Sequence, residues 1–394
     1  TVRTSSRLPV VFLIDVAPDG RLCQGVYPLP VTSNRPLRPL STPSVSRHRT
    51  PSYPPRVALP PDSSSLLGLP GMADHLRRVE EELRRVVQSD EPFLTEVARH
   101  LIDAGGKRVR PALAFTASQA TTTEPGPASL DAIRGGVAVE LVHQGSLYHD
   151  DVIDGADTRR TVESVNSRFG NLEAILAGDY LLARASEIAA DLGTEVASLL
   201  AGTIARLCEG QVRELGSAFD VDRTETAYLE SIAGKTAVLL ATAARIGGIV
   251  AGLSRNEVEA LTSFGHHYGM AFQVVDDVLD LVATDGQLGK PAGNDLCEGV
   301  YTLPVIRAFG GSSGDELRSL LGDTIDATTR DRVLEILRGD ESLATSMATA
   351  VEFTGAASDA LAELPPTPAV TTLRQTCDLL LSRVDTASHA PDRP

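Results

Sequence analysis

Two short acidic motifs carry the most distinctive chemistry in this sequence. Asp150-Asp151-Val152-Ile153-Asp154 recurs almost unchanged, 126 positions later, as Asp276-Asp277-Val278-Leu279-Asp280. On a helix, residues four apart lie on one face with Cβ atoms about 5–6 Å apart, and like charges at this spacing repel. Carboxylates near a helix C-terminus also oppose the helix dipole. Clustered carboxylate oxygens suit Mg²⁺, which keeps several waters and shares its shell with substrate phosphates.

Both motifs end apolar segments. Leu141-Val142-His143 precedes the first, and Met270-Ala271-Phe272-Gln273-Val274-Val275 precedes the second. One acidic motif alone is equally compatible with a solvated helix face. Two copies that each follow a core-like segment indicate that the acids lie where buried helices reach a cavity or a rim. Two metal clusters that face one another would hold a diphosphate between them.

Basic residues accompany the acidic motifs. Gly105-Gly106-Lys107-Arg108-Val109-Arg110-Pro111 forms a glycine-led loop before a helix that Pro111 can open. A helix N-terminus with nearby Lys and Arg is typical of an anion site, although an isolated loop of this kind is more often a basic surface turn. Arg159-Arg160 follow the first motif, and arginine suits bidentate contact with phosphate.

Composition limits the classes of function. The 394 residues suffice for one large domain or two ordinary ones, and 42% hydrophobic residues support a sizeable core. A net charge of −16 argues against a nucleic-acid-binding protein. Local arginines and metal can still attract a phosphorylated substrate. No apolar run reaches the roughly 18 residues that span a bilayer. The cysteines lack zinc or disulfide spacing and are expected to be reduced cytosolic thiols: Cys23, Cys208, Cys297 and Cys377.

Residues 1–70 differ from the rest of the chain. They hold 13 of the 24 prolines and eight arginines against three acids, a net charge of +5. This Pro/Ser/Arg-rich composition predicts a disordered extension, with Val10-Val11-Phe12-Leu13-Ile14 as one possible strand. A transit peptide is the alternative, but the segment has no amphipathic helical pattern. Residues 71–394 would form one all-helical domain.

From Asp74 onward the apolar periodicity is helical, which predicts an all-α fold in a single large bundle. Asp74 and Ser254 have the residue types of helix N-caps. The predicted helices span 74–88, 92–103, 110–120, 129–153, 171–191, 194–217, 223–233, 235–252, 255–281, 298–309, 314–321, 327–338, 343–362 and 367–384.

The ordered series of motifs resembles that of the trans-isoprenyl diphosphate synthases, the family of farnesyl, geranylgeranyl and longer polyprenyl diphosphate synthases. The resemblance covers about residues 75–385. Besides the two acidic motifs, the basic loop, Leu141-Val142-His143 and Arg159-Arg160, the segments that carry it are Gly178-Asp179-Tyr180-Leu181-Leu182, Gly234-Lys235-Thr236-Ala237, Phe272-Gln273, Gly289-Lys290-Pro291-Ala292-Gly293-Asn294-Asp295-Leu296 and Thr302-Leu303-Pro304.

The resemblance implies a helical bundle of the isoprenoid synthase type with a central cavity, and a role for each matching residue. Arg159 would contact the allylic diphosphate. Three Mg²⁺ ions would be bound by Asp150, Asp151, Asp154, Asp276, Asp277 and Asp280. Isopentenyl diphosphate would be bound by Lys107, Arg110, His143 and Arg160. The leaving diphosphate and the developing cation would be stabilised by Lys235, Thr236, Gln273 and Lys290.

The chain departs from the family pattern at three positions. The family usually has glycine at position 161, which is Thr161 here, and often a basic residue at position 297, which is Cys297. An aromatic residue is common where this chain has Val109. None of these changes removes a metal-binding or diphosphate-binding residue, so an active enzyme is expected.

Product length depends on the helix before Asp150. Gly145 and Ser146 lie one helical turn, about 5.4 Å, below the first acidic motif. In the family, bulky aromatics at these positions stop growth at short products. Small residues favour a long product, hepta- to decaprenyl, of the kind used as a quinone side chain. Geranylgeranyl diphosphate is the alternative product, and close helix packing is the alternative reason for the small residues. Tyr148 is bulky but points away from the direction of Gly145.

Three other functions remain open at this point: a class I terpene cyclase, a non-catalytic subunit of a heteromeric prenyl synthase, and a structural helical protein. The second Asp-Asp-x-x-Asp motif and the basic loop argue against a cyclase. All six aspartates are present, which argues against a non-catalytic subunit. The resemblance further implies a homodimer in the cytoplasm, peripheral to a membrane where a long product is released.

Overall fold

The computed structural model describes residues 66, 68–283 and 292–389, together with two short strands near the N-terminus. The chain divides into two units, Thr1–Arg56 and Val57–Pro394. In the first unit, β1 (Ile14–Val16) pairs antiparallel with β2 (Leu22–Gln24). The rest of the predicted strand, 10–13, and most of the predicted extension lie outside the described residues.

The second unit is almost entirely helical, which confirms the all-α prediction. Its elements, in chain order, are α1 (Met72–Val86), α2 (Pro92–Asp103), α3 (Val109–Ser118), α4 (Leu130–Ile153), β3 (Thr158–Arg159), β4 (Val162–Glu163), α5 (Val165–Phe169), α6 (Asn171–Asp191), α7 (Thr194–Gly216), α8 (Glu225–Ile232), a π-helical turn (Ala233–Ala237), α9 (Val238–Val250), α10 (Arg255–Val282), α11 (Asn294–Cys297), α12 (Leu303–Phe309), α13 (Gly314–Leu320), α14 (Ala327–Arg338), α15 (Ser342–Ala360) and α16 (Pro368–His389).

Local signals explain where several helices begin. Ser254 caps α10 with a capping box, in which its hydroxyl accepts from Glu257 N and the Glu257 carboxylate accepts from Ser254 N, as the sequence predicts. The predicted cap at Asp74 is wrong. Gly71 precedes α1, and Asp74 lies in the first turn, where a carboxylate favours the helix dipole.

The predicted helix over 298–309 begins too early, because α11 ends at Cys297 and α12 begins only at Leu303. Gly299 adopts a φ of +73°, which an α-helix cannot accommodate, so α11 stops before it. Pro304 stands in the first turn of α12, where the missing N–H costs no intrahelical hydrogen bond.

Two long helices form the centre of the bundle and each ends in an acidic motif. α4 packs against α1, α3, α6 and α9, while α10 packs against α9, α15, α16 and the π-helical turn. Both helices bury residues on most of their surface, and each carries an acidic motif in its last turns. Helices α11 to α14 contribute to a second apolar cluster, around Tyr301, beside the end of α10.

One helical stretch of the described chain, Glu225–Val250, has the length and mean hydropathy of a membrane span. It comprises α8, the π-helical turn and α9. Of its most apolar 18-residue window, 72% is buried inside the protein, as is typical of a core helix.

The helical unit begins before residue 71. Leu66 and Leu69 are 3% and 2% exposed and pack in the main core with Met72. A chain that begins at Met72 loses both leucines, and we expect it to be less stable to unfolding by urea than a chain that begins at Ser63, by about 3 kcal/mol. The full chain with Leu66→Ala and Leu69→Ala should show a similar loss. Equal unfolding midpoints for the two shortened chains would show that these contacts contribute nothing.

Candidate active site

The first acidic motif divides between two faces of α4. His143, Ser146, Asp150 and Asp154 follow one another at spacings of three and four residues, and each is at least partly exposed. Asp151 points elsewhere and is fully buried. Only two of the three predicted carboxylates therefore share the open face.

Asp151 anchors an arginine. Its Oδ1 accepts from Arg159 Nη2 at 2.6 Å and from Arg159 Nε at 2.7 Å. Burial raises the pKa of Asp151, and Arg159 opposes that shift. Asp151 is fully buried and does not share the open face on which a metal would bind. Its observed contact is with Arg159, which it holds at the rim of the site. This departs from the prediction that all three aspartates of the motif are equivalent ligands.

The open face carries concentrated negative charge. Burial raises the pKa of Asp150 to about 6, with Lys235 opposing the shift and Asp154 adding to it. Burial also raises the pKa of Asp154. Two carboxylates one helical turn apart repel each other when both are ionised. A bound cation would stabilise their ionised forms.

A π-helical turn supplies one cation. Lys235 lies on this turn and forms an ion pair with Glu214 of α7. Burial alone would lower the pKa of Lys235, but Glu214, Asp150 and Asp154 raise it above its usual value. Wide turns of this type are often found at functional sites because they displace side chains from the regular helical register. Here the turn directs a lysine toward the first acidic motif.

The second acidic motif also separates into exposed and buried carboxylates. Asp276 is half exposed, and its Oδ1 lies 3.5 Å from Arg383 Nη2 of α16. Asp277 is 3% exposed, and Asp280 is 4% exposed with Oδ2 accepting from Asp295 N at 3.4 Å. Asp276 is therefore the member of this motif that is open to a ligand.

Asp277 ends a chain of hydrogen bonds that begins at the π-helical turn. Thr236 Oγ1 donates to Gln273 Oε1 at 2.6 Å, and Gln273 Nε2 donates to Asp277 Oδ1 at 2.7 Å. Tyr228 OH donates to Asp277 Oδ2 at 2.5 Å. Burial raises the pKa of Asp277 well above its usual value, and both hydrogen bonds to its carboxylate oppose that shift.

The basic loop is built around a buried arginine. Arg108 adopts a left-handed φ of +48° and donates to Glu80 Oε1 at 2.6 Å and to Glu140 Oε1 at 2.8 Å. Gln144 also donates to Glu140 Oε1, at 2.6 Å. Arg108 is 4% exposed, and its two ion pairs hold the loop to α1 and α4.

Lys107 and Arg110 are the other cations of the loop, and Arg160 contacts the loop from outside it. Arg160 lies in the β3–β4 turn at a φ of +54° and donates to the Gly105 carbonyl. Gly106 permits this approach, since a Cβ there would lie 3.0 Å from the Arg160 guanidinium. Burial lowers the pKa of Arg110 to about 10, Arg160 adds to that shift, and Glu140 opposes it.

The neighbouring side chain on α4 is a neutral imidazole. Burial lowers the pKa of His143 well below its usual value, and the arginines around it, Arg110 and Arg160 first, lower it further. A neutral histidine among cations can donate one hydrogen bond to an anion. The positive charges and the imidazole of this arrangement suit the binding of an anion.

Thr161 explains one departure from the family pattern. It has a φ of +64°, in the left-handed region that glycine adopts without steric cost. Its Oγ1 donates to the Arg160 carbonyl at 2.6 Å, which helps to hold the turn.

The open carboxylates meet the coordination needs of Mg²⁺. Within residues 66, 68–283 and 292–389, no three acidic, histidine or cysteine side chains converge on a closed metal site. Mg²⁺ does not require one, because it is often bound by one or two carboxylates with water and substrate phosphates completing the shell. Asp150, Asp154 and Asp276 offer such carboxylates at the open face, so the residues fit Mg²⁺ bound together with a diphosphate.

Comparison with known proteins identifies the family. The family model described as polyprenyl synthetase matches residues 91–338. The chain belongs to this family. It is a trans-prenyltransferase, a polyprenyl diphosphate synthase, with the all-α fold of its relatives.

Relatives differ in the length of product that their names give. The chain is 38% identical over 296 residues to heptaprenyl diphosphate synthase component 2 of Geobacillus stearothermophilus. This match covers 75% of the chain and 91% of the relative. A decaprenyl diphosphate synthase structure from Rhodobacter capsulatus has a TM-score of 0.74 at 32% identity, covering 82% of this chain and 99% of that one.

A geranylgeranyl pyrophosphate synthase from Corynebacterium glutamicum, complexed with calcium and isoprenyl diphosphate, has a TM-score of 0.70 at 37% identity. The match covers 79% of this chain and 96% of that one.

The structure gathers most of the predicted site residues, but not all of them can be placed. Lys290 lies outside the described residues. Five residues that shape the site have no role assigned from the sequence: Arg108 with Glu140, Glu214 on α7, Tyr228 on α8 and Arg383 near the C-terminus. Only Arg108, within the basic loop, had a local signal. The others reach the site through helix packing that no motif spacing reveals.

The charge on Asp150 should weaken the metal-free fold above its raised pKa. An acid whose folded pKa is raised from its usual value to about 6 destabilises the fold increasingly as pH rises through that range, and fully above it. We therefore expect Asp150→Asn to raise the free energy of unfolding in EDTA at pH 7.5 by about 1 kcal/mol after solvent screening, and by almost nothing near pH 4. Urea unfolding at both pH values measures this. A gain of equal size at both would contradict the assigned cause.

Proposed function

We propose that this enzyme condenses an allylic diphosphate with isopentenyl diphosphate in a Mg²⁺-dependent reaction and makes an all-trans polyprenyl diphosphate. The observation that carries the proposal is the position of the π-helical turn. Lys235 interacts with the first acidic motif, while Thr236 is hydrogen-bonded through Gln273 to the second. The two acidic motifs are thus joined by one turn that presents a cation and oriented dipoles.

The allylic substrate would bind at the open carboxylates. Mg²⁺ held by Asp150, Asp154 and Asp276 would neutralise the diphosphate and make it a better leaving group. Arg159, fixed by Asp151, lies at the same rim and can contact a phosphate oxygen. Lys235 stands where the leaving diphosphate gathers charge. The Gln273 and Thr236 oxygens supply negative dipoles that are oriented before an allylic cation forms.

The basic loop would hold the second substrate. Arg110 and Arg160 lie around neutral His143, Lys107 belongs to the same loop as Arg110, and the diphosphate of isopentenyl diphosphate is an anion of the kind that such a cluster binds. Its double bond attacks the allylic cation, and the released diphosphate accepts the proton that is lost. Each cycle adds one isoprene unit to the chain.

The product would be long, from heptaprenyl to decaprenyl, and would serve as a quinone side chain. The support is Ser146, which shares the face of Asp150 one turn further into the bundle and is small and half-buried. Gly145 does not belong to that face. A Cβ at Gly145 would lie 3.0 Å from Gly178 O and 3.3 Å from Leu182, so the glycine permits close packing of α4 against α6. We therefore propose that Gly145, which the sequence predicts to line the growing chain, serves this packing instead.

Tyr148 also lies away from the path of the product. It is fully buried, and its hydroxyl donates to the Val97 and Ala98 carbonyls of α2 at 2.9 and 3.0 Å. This leaves Ser146 as the predicted chain-length position on α4.

We also propose a homodimer in the cytoplasm that docks at a membrane surface when a long product is released. Exposed apolar residues of two adjacent helices support self-association: Leu172, Ile175 and Leu176 of α6, and Val212 and Leu215 of α7. The relative named component 2 makes a two-polypeptide enzyme the alternative. Activity of this chain alone separates the two assemblies.

The purified chain alone should convert labelled isopentenyl diphosphate and farnesyl diphosphate to a longer product when Mg²⁺ is added. Asp150→Ala and Asp276→Ala should each lower kcat by at least about 100-fold, because each removes an open carboxylate from the diphosphate site. Glu225→Ala, an exposed acid outside the site, is the control. Near-normal Mg²⁺-dependent turnover in both aspartate variants would refute the proposed metal role.

Two phenylalanine variants test the product path. Ser146→Phe should shorten the product toward farnesyl or geranylgeranyl diphosphate while the first condensation continues, because the ring enters the face below Asp150. Gly145→Phe should instead overpack α4 against α6, lowering stability by about 1–3 kcal/mol or more, with product length unchanged. Chromatography of dephosphorylated products and urea unfolding measure both effects. A shortened product from Gly145→Phe alone would reverse the assignment.

A further inference from the structure

Tyr228 is a buried residue that the condensation chemistry leaves without a role. It is 1% exposed, lies on α8, and donates its hydroxyl hydrogen to Asp277 Oδ2 at 2.5 Å. Arg223 stacks on its ring, with the guanidinium carbon 5.6 Å from the ring centroid. Arg223 in turn donates to the Tyr301 carbonyl at 3.0 Å. Arg223 thus fixes the position of the Tyr228 ring, and Asp277 fixes the direction of the Tyr228 hydroxyl group.

Asp277, the hydrogen-bond partner of Tyr228, also orients the side-chain amide of Gln273. Asp277 accepts at Oδ2 from Tyr228 and at Oδ1 from Gln273 Nε2. Gln273 Nε2 donates to Asp277 Oδ1 at 2.7 Å, so the NH₂ end of the Gln273 amide faces the Asp277 carboxyl group. The other end of the amide, Oε1, is then directed at Thr236 Oγ1, which donates to it at 2.6 Å. Reversing the amide would place Oε1 against a carboxylate oxygen.

We propose that Tyr228 is a positioning residue that acts through Asp277 to fix the orientation of the Gln273 amide. The inference rests on the proposed condensation, in which the Gln273 oxygen faces the developing allylic cation. A buried carboxylate that loses one of two hydrogen bonds is poorly satisfied and can rotate toward other donors. Asp277 would then no longer hold Nε2 in place, and the oxygen dipole would lose its fixed direction.

This role separates Asp277 from Asp276. Asp276 is half exposed and contacts Arg383, whereas Asp277 is buried and committed to Tyr228 and Gln273. The two adjacent aspartates of the second motif would therefore perform different tasks. Asp276 binds at the open face, and Asp277 orients the side chain one turn before it.

The test compares Tyr228→Phe with wild type in steady-state kinetics of a single condensation. Phenylalanine keeps the ring on which Arg223 stacks and removes only the hydroxyl. We expect kcat to fall about tenfold, the size of effect that one hydrogen bond to a charged group supports. The KM values for both diphosphates should change by less than about twofold, because the binding groups are untouched.

The control is Tyr301→Phe. Tyr301 is also fully buried and its hydroxyl accepts from Gly322 N at 2.6 Å, but that bond has no link to Gln273. Its kcat should equal that of wild type. A double-mutant cycle then tests the route of the effect. Tyr228→Phe should cause little further loss of kcat in a Gln273→Met background, because the amide on which it acts is gone.

The outcomes are distinguishable. An unchanged kcat for Tyr228→Phe, or the same fractional loss with and without Gln273, overturns the positioning role while wild-type turnover upholds the proposed function. A rise in KM of both substrates with unchanged kcat also overturns it. Wild-type protein that fails to condense isopentenyl diphosphate in the presence of Mg²⁺ overturns the proposed function and this inference with it.

Discussion

Repulsion between carboxylates is the constraint around which this molecule is organised. Two central helices, α4 and α10, bring aspartates out of an apolar core at spacings that place like charges one turn apart. Each cluster is held by cations from other elements. Arg159 binds Asp151, Lys235 faces Asp150 and Asp154, and Arg383 lies near Asp276. The fold keeps these charges together and leaves three carboxylates open, which suits a divalent metal bound with a diphosphate.

The opposite charge is organised in the same way. Arg108 is buried and neutralised by Glu80 and Glu140, so it serves the shape of the basic loop. Arg110 and Arg160 lie near Arg108 but have fewer acidic neighbours, and burial lowers the pKa of each. A bound anion would stabilise the charged forms of these two arginines. Acidic and basic sites therefore each require the charge that a diphosphate substrate with its metal provides.

The π-helical turn connects the two acidic motifs through its side chains. A regular helix through Ala233–Ala237 would change the direction of every side chain after the turn by about 100°. The wide turn lets consecutive residues serve different motifs. Lys235 interacts with α4, and Thr236 donates to Gln273 on α10. Sequence can mark Lys235-Thr236 as interesting, but the separate directions of the two side chains depend on this local geometry.

The sequence by itself determined the helical class, most helix boundaries, the two aspartate motifs and the basic loop, because helical periodicity and charge spacing are local properties. It failed where non-local packing decides. It could not tell Asp150 from Asp151, or Asp276 from Asp277, since their burial depends on which helix lies against each face. It placed Gly145 in the product path, whereas α6 occupies that side. Tyr228 and Glu214 carry no motif and reach the site only because α8 and α7 pack beside it. Adjacent residues on a helix point about 100° apart, so only the tertiary structure decides which of them meets substrate and which meets the core.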